Sequence, residues 1–198
     1  IIWQEPIHDL VLLEPEIYDS DVAILHLPDG NHKSRDLAAF ARMVSEGKRL
    51  SKRLHNIYAK ELFISGEEQD FLEAGPFFEA SCADTERSLD EIREAACVAA
   101  RAARIGQAYE KFFKYALKVV ASEGCSEICC ELGSYFLKRQ DPEEAVIWFY
   151  NAVYETESIL NIHSSGDIPL RGLSECYRLM GNEEQAEAYG KLAEEWKA

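Results

Sequence analysis

Positive charge is scarce in this sequence. Lys and Arg number 21 against 36 Asp and Glu, for a formal net charge of −15. Nucleic acid needs a lysine- and arginine-rich face to meet its phosphates, so we expect no nucleic-acid partner. An anionic membrane surface is excluded on the same ground. Long apolar runs are missing too: nothing approaches the roughly 18 residues of a transmembrane helix, so no membrane span is expected. The six cysteines (Cys82, Cys97, Cys125, Cys129, Cys130, Cys176) contain no Cys-x-x-Cys pair, and no His-x-x-x-His stands near them. "CSEICC" puts Cys125 and Cys129 one helical turn apart, yet two thiolates without a histidine do not close a zinc site. We read the cysteines as small buried residues in a reducing, cytoplasmic setting. No Ser/His/Asp arrangement, glycine-rich phosphate loop or paired-carboxylate signature stands out. His55 and His163 lack partners at ligand spacing and read as solvent-facing or interfacial, and His32 reads as part of a turn. The many Glu residues read as a solvated acidic face.

What is present divides the chain in two. The head, "IIWQEPIHDLVLLEPEIYDSDVAILHLPDG", has two prolines in its first half and no sustained 3.6-residue period. "DVAILHL" reads as a buried strand closed by the Pro-Asp-Gly turn at 28–30. From about Ser34 onward the pattern is helical, which gives a head at 1–33 and a helical domain at 34–198. The chain opens at Ile1 without methionine, and we expect it to be a piece of something longer.

The helical part repeats itself. "LGSYFLKRQDPEEAVIWFYNAV", from Leu132, lies without gaps over "LSECYRLMGNEEQAEAYGKLAE", from Leu173, at an offset of 41 residues. Gly133 falls on Ser174, Phe136 on Tyr177, Asp141 on Asn182, Ala145 on Ala186 and Ala152 on Ala193. An offset of 36 in the other direction sets Cys97 on Gly133, Phe112 on Trp148, Phe113 on Phe149 and Ala116 on Ala152. A fainter unit covers "LHNIYAKELFISGEEQDFLEAGPFFEA", with Gly66 at its turn and Pro76 expected to interrupt its second helix. The physical sense is close approach: helices touch where one offers a small residue and the other an aromatic that fills the space. Asp141 and Asn182 read as N-caps, with Pro142 at the first helical position.

Leu-Gly, an aromatic three residues on, a polar turn and alanines seven apart resemble the tetratricopeptide repeat. The resemblance implies an all-α right-handed superhelix of antiparallel helix pairs, here with a short β-like N-terminal segment. Arrays of this kind bind along the concave face of their first helices. On that face we place Arg53, Asn56, Lys60, Arg101, Lys138, Arg171 and Arg178 as candidate contacts to a carboxylate-bearing protein or peptide. Salt bridges between neighbouring units are the competing use of the same side chains.

A further resemblance covers nearly the whole chain. "NIYAKELFISGEEQDFLEAGPFFEAS", "FLKRQDPEEAVIWFYNAV" and "HSSGDIPLRGLSECYRLMGNEEQAEAYGKLAEE" occur in the order seen in the C-terminal region of bacterial family-2 glycosyltransferases. In those enzymes, helical repeats follow a GT-A catalytic domain. "WQEPIHDLV" and "SDVAILHL" look like the last strands of that domain, with Asp9 where the family has glutamate and Lys60 where it has arginine. The resemblance implies a divalent metal and a nucleotide sugar for the parent enzyme, with His26 at a late metal-side position and His8 at the "HE" position. "DSD" at 19–21 reads as a loop, and no cofactor or catalytic residue is expected in this chain. The expected role is to dock an acceptor or a second subunit. The alternatives are a stand-alone adapter for peptides or proteins, or a structural module that forms a homodimer.

Overall fold

Short polar caps mark where α-helices begin at four places in this chain. The computed structural model describes residues 3–4, 10–11 and 32–197. Ser51 accepts from the Leu54 N–H, Asp141 from Glu144 and Asn182 from Gln185. Ser88 and Glu91 form a reciprocal capping box. The helices are α1 (His32–Ser45), α2 (Lys52–Ser65), α3 (Glu68–Ser81), α4 (Leu89–Ile105), α5 (Tyr109–Val120), α6 (Ser126–Lys138), α7 (Pro142–Tyr154), α8 (Asp167–Leu179) and α9 (Glu183–Glu195). A 3-10 turn, Ile162–Ser165, precedes α8. The chain is thus all-α from His32 onward, and His32 opens a helix rather than lying in a turn. Among the described residues no helix is long and apolar enough to cross a membrane.

In the head, β1 (Trp3–Gln4) pairs antiparallel with β2 (Leu10–Val11), Trp3 opposite Val11 and Gln4 opposite Leu10. The strand expected at 21–27, its turn at 28–30, "DSD" and the boundary at 33 fall on or next to residues outside the described set, as do His8 and His26.

From α2 onward, successive helices fall into hairpins: α2 with α3, α4 with α5, α6 with α7, and α8 with α9. The first hairpin is filled by aromatics. Tyr58 and His55 of α2 meet Phe77 and Phe78 of α3, and Phe63 stands edge-on to Phe71. Contrary to expectation, α3 runs unbroken through Pro76. The proline removes one hydrogen bond and costs about 3 kcal/mol, but Phe71, Ala74 and Phe78 on the same helix are fully buried and hold it. Gly75 lets α4 come close: a Cβ there would stand 3.0 Å from that of Ala102.

The later hairpins use small residues. Ala145 and Ala152 of α7, and Ala186 and Ala193 of α9, are buried, and Ala186 and Ala193 are the only buried residues of α9. A left-handed residue marks the turn of each of the last three hairpins: Gln107 (φ 57°), Gln140 (φ 62°) and Gly181 (φ 74°). Gln140 and Gly181 keep the 41-residue offset, whereas Gln107 stands 33 residues before Gln140, not 36. Phe112 therefore takes the place of Ala145, and Ala116 that of Phe149, all four buried. Large and small exchange places, and the space is filled either way.

One apolar core runs from Leu37 and Phe40 of α1 through Tyr58, Leu62, Phe71 and Phe78 to Ile128 and Leu132 of α6. A second, around Ala145, Phe149, Leu173 and Cys176, joins α7 to α8. Phe149 links helices on both sides. A Cβ on Gly133 of α6 would stand 2.8 Å from its ring, and one on Gly172 of α8 would stand 2.7 Å away.

Candidate functional site

The first helices α2, α4, α6 and α8 contact one another in sequence order, so the seven candidate residues stand on neighbouring helices. Their situations differ sharply. Asn56 donates to Glu94 Oε1 at 2.6 Å, tying α2 to α4. The Arg101 guanidinium lies over Phe71 (4.4 Å) and Phe63 (5.1 Å), with its Nε 3.6 Å from Glu131. Arg104 reaches the other Glu131 oxygen at 2.5 Å. Arg101 is therefore a buried-side strut between α4 and α6, which is the competing use foreseen for it. Arg178 pairs with Glu175, and Arg171 with Asp167 at 3.3 Å, while both remain more than half exposed. Lys60 and Lys138 are exposed and form no ion pair among the described residues. Arg53 is also exposed. Lys60, Lys138 and Arg171 thus stay solvent-exposed, whereas Asn56 and Arg101 are used between helices.

The connection between α7 and α8, residues 155–166, lies against this same set of helices. Its anchor is Glu127 of α6, a fully buried carboxylate. Glu127 Oε1 accepts from the backbone N–H groups of Ile159 (3.0 Å), Leu160 (2.8 Å) and Asn161 (2.9 Å), and Oε2 also accepts from Ile159 at 3.1 Å. Ser126 adds two bonds: its N–H donates to the Glu157 carbonyl and its hydroxyl to that of Thr156. Leu160 enters the main core, and Asn161 donates to the Phe63 carbonyl at 2.8 Å, near the C-terminal end of α2. That bond satisfies a carbonyl that α2 leaves without a helical partner. Cys130 donates to the Ser164 carbonyl at 3.2 Å.

This corrects the reading of the acidic residues as uniformly solvated, since Glu127, Glu131 and Glu91 are buried. A signal was present. Residues 126–133 of α6 are buried without a break, and "ICCELG" is apolar on both sides of its glutamate. A helix apolar all round is enclosed, and an acid inside it needs donors.

His55 is also corrected: it is fully buried against Phe77 and Phe78, with Nδ1 3.6 Å from Glu94. His163 is exposed, as expected, and pairs with Asp167 at 2.6 Å beside the Trp196 ring. Burial pushes the Cys129 thiol up to about 11 and Cys176 up to about 12. Among the described residues no three His, Cys, Asp or Glu side chains gather as a metal site.

A cleft of about 260 Å³ between α4 and α5 is lined by Leu89, Ile92, Arg93, Ala96 and Val119 among others. A wider depression of about 460 Å³ lies beside Trp148, Tyr150 and Glu155 of α7 and its C-cap. None of the seven candidate residues lines either one. Comparison with family models, with curated proteins and with solved structures finds no match to this chain.

Proposed function

We propose that this chain is a protein-interaction module of tetratricopeptide type, its hairpins wound as a right-handed superhelix. It serves as the C-terminal part of a family-2 glycosyltransferase and docks the acceptor or a second subunit beside the catalytic domain. The observation that carries the reading is the recurrence of one hairpin at 41 residues, with turn, caps and alanine seams in register. A stack of such hairpins offers a continuous face of first helices, which suits recognition of an extended chain better than chemistry on a small molecule. Lys60 and Lys138 are exposed cations of that face, and Arg171 stays exposed beside its Asp167 partner; the ligand chemistry that fits them is a carboxylate-bearing peptide. The parent enzyme would supply the divalent metal and bind the nucleotide sugar.

Two results test this. The reading frame upstream of Ile1 is expected to encode a GT-A domain with an Asp-x-Asp motif; an unrelated domain or none there overturns the assignment to a glycosyltransferase. Separately, a peptide selected by display against this chain is expected to lose at least about tenfold in affinity on the double charge reversal Lys138→Glu and Arg171→Glu, by titration calorimetry. Unchanged affinity removes the first-helix face as the docking surface.

A further inference from the structure

Cys97 in the middle of α4 and Cys125, the N-cap of α6, bring their sulfurs to 3.4 Å across a separation of 28 residues. Both are fully buried. Each other cysteine for which a thiol contact is resolved looks elsewhere: Cys82 to the Ile92 carbonyl, Cys129 to the Thr156 hydroxyl and Cys130 to the Ser164 carbonyl. A disulfide needs its sulfurs about 2.05 Å apart, so side-chain rotation has to close the remaining gap of roughly 1.4 Å.

We propose that Cys97 and Cys125 are a site of oxidative modification, closing to a disulfide that ties the second hairpin to the third when the chain meets a peroxide. The site has a way in. Residues 121–123, immediately before Gly124 and Cys125, are exposed. Arg93 holds this turn from α4, through the Gly124 carbonyl and through Glu123 at 3.0 Å. Hydrogen peroxide is scarcely larger than water and reaches Cys125 when the turn loosens. The Cys125 thiol gives up its proton, its sulfur attacks one peroxide oxygen, the O–O bond breaks, and the leaving hydroxide takes that proton, so a sulfenic acid and one water result. Cys97 sulfur then attacks the sulfenic sulfur, the S–O bond breaks, and the thiol proton leaves with the oxygen as a second water. In sum, two thiols are oxidised and one peroxide is reduced to two waters. Burial, followed by the hydrogen bond to Cys125, pushes the Cys97 thiol well above its ordinary value. Cys125 borders the exposed turn whereas Cys97 lies in the middle of α4, so Cys97 is the resolving sulfur.

The experiment treats the full chain with hydrogen peroxide in native buffer, then alkylates it in denaturant and measures intact mass. We expect a loss of about 2 Da, with four of the six cysteines alkylated and a Cys97–Cys125 peptide on mapping. The cross-linked chain should melt about 5–10 °C higher than the reduced one. Cys97→Ala and Cys125→Ala should each abolish the 2 Da loss, so the test survives if one of them fails to fold. Full alkylation of the treated wild-type chain, a cross-link between any other pair, or the same loss in either variant overturns the proposal.

Discussion

Replacing Glu127 by alanine is expected to lower the stability of this chain by about 3–5 kcal/mol. The carboxylate is fully buried and accepts from three consecutive backbone N–H groups. Alanine leaves all three donors enclosed and unpaired, at about 1–3 kcal/mol each, and water entering the vacated space recovers only part of that. Glutamine separates the donor role from mere volume. It keeps one carbonyl oxygen at the Oε1 position, which serves all three N–H groups, and gives up only the second bond to Ile159. Glu127→Gln should therefore cost about 1 kcal/mol. Urea unfolding followed by circular dichroism reads both values, and thermal melting should show a fall of roughly 10 °C for the alanine variant. Equal losses from the two variants would mean that the carboxylate does not organise the 155–166 connection.

The second large effect is a reversal of sign around Phe149. A glycine inside a helix costs about 1 kcal/mol against alanine, so Gly133→Ala and Gly172→Ala would stabilise exposed helices. Here each new Cβ would stand under 3.0 Å from the Phe149 ring. The ring is 3% exposed and contacts both α6 and α8, so it cannot retreat from one without striking the other. Overpacking costs about 1–3 kcal/mol for a small addition and more for a branched one. We expect Gly133→Ala to be destabilising by about 1 kcal/mol and Gly133→Val by about 3 kcal/mol or more. Phe149→Ala alone should cost about 3–5 kcal/mol. In the Phe149→Ala background, however, Gly133→Ala should become neutral or stabilising, because the propensity gain remains and the clash is gone. A double-mutant cycle by chemical unfolding measures this directly. Purely additive losses would show that the glycine is not there to admit the ring.

Local rules made most of the helical fold legible. Asp141, Pro142 and Asn182 announce their helix starts, and Gly133 with alanines seven apart announces close hairpins. The register of the second hairpin was harder. Its first helix α4 is longer than α6, and its second helix carries Phe112 and then Ala116 where the third hairpin carries Ala145 and then Phe149. Matching residues by size then slips the alignment by three positions; matching by the turn does not. Pro76 misled for a related reason, because propensity weighs one residue while burial weighs a whole helix face. At the candidate face, the basic side chains could be found by helical spacing, but their partners could not. Glu131 lies 30 residues from Arg101 in sequence, and no periodicity announces a pairing at that range. The Glu127 anchor is harder still, since it binds backbone N–H groups whose own side chains carry no mark of it.

The bond from Asn161 to the Phe63 carbonyl spans 98 residues, and it changes how the chain should come apart. Arrays held only by neighbour contacts behave as one-dimensional chains, losing their terminal units first and growing from any point. A contact that returns from beyond α7 to α2 closes a long loop across three hairpins. It can form only late in folding, once that loop entropy has been met. Afterwards the first and third hairpins share a fate: neither can melt without releasing the other. The helices from α2 to α7 are thereby drawn into one cooperative unit, to which α8 is joined through Phe149, and α9, with only Ala186 and Ala193 buried, is the part left to fray first.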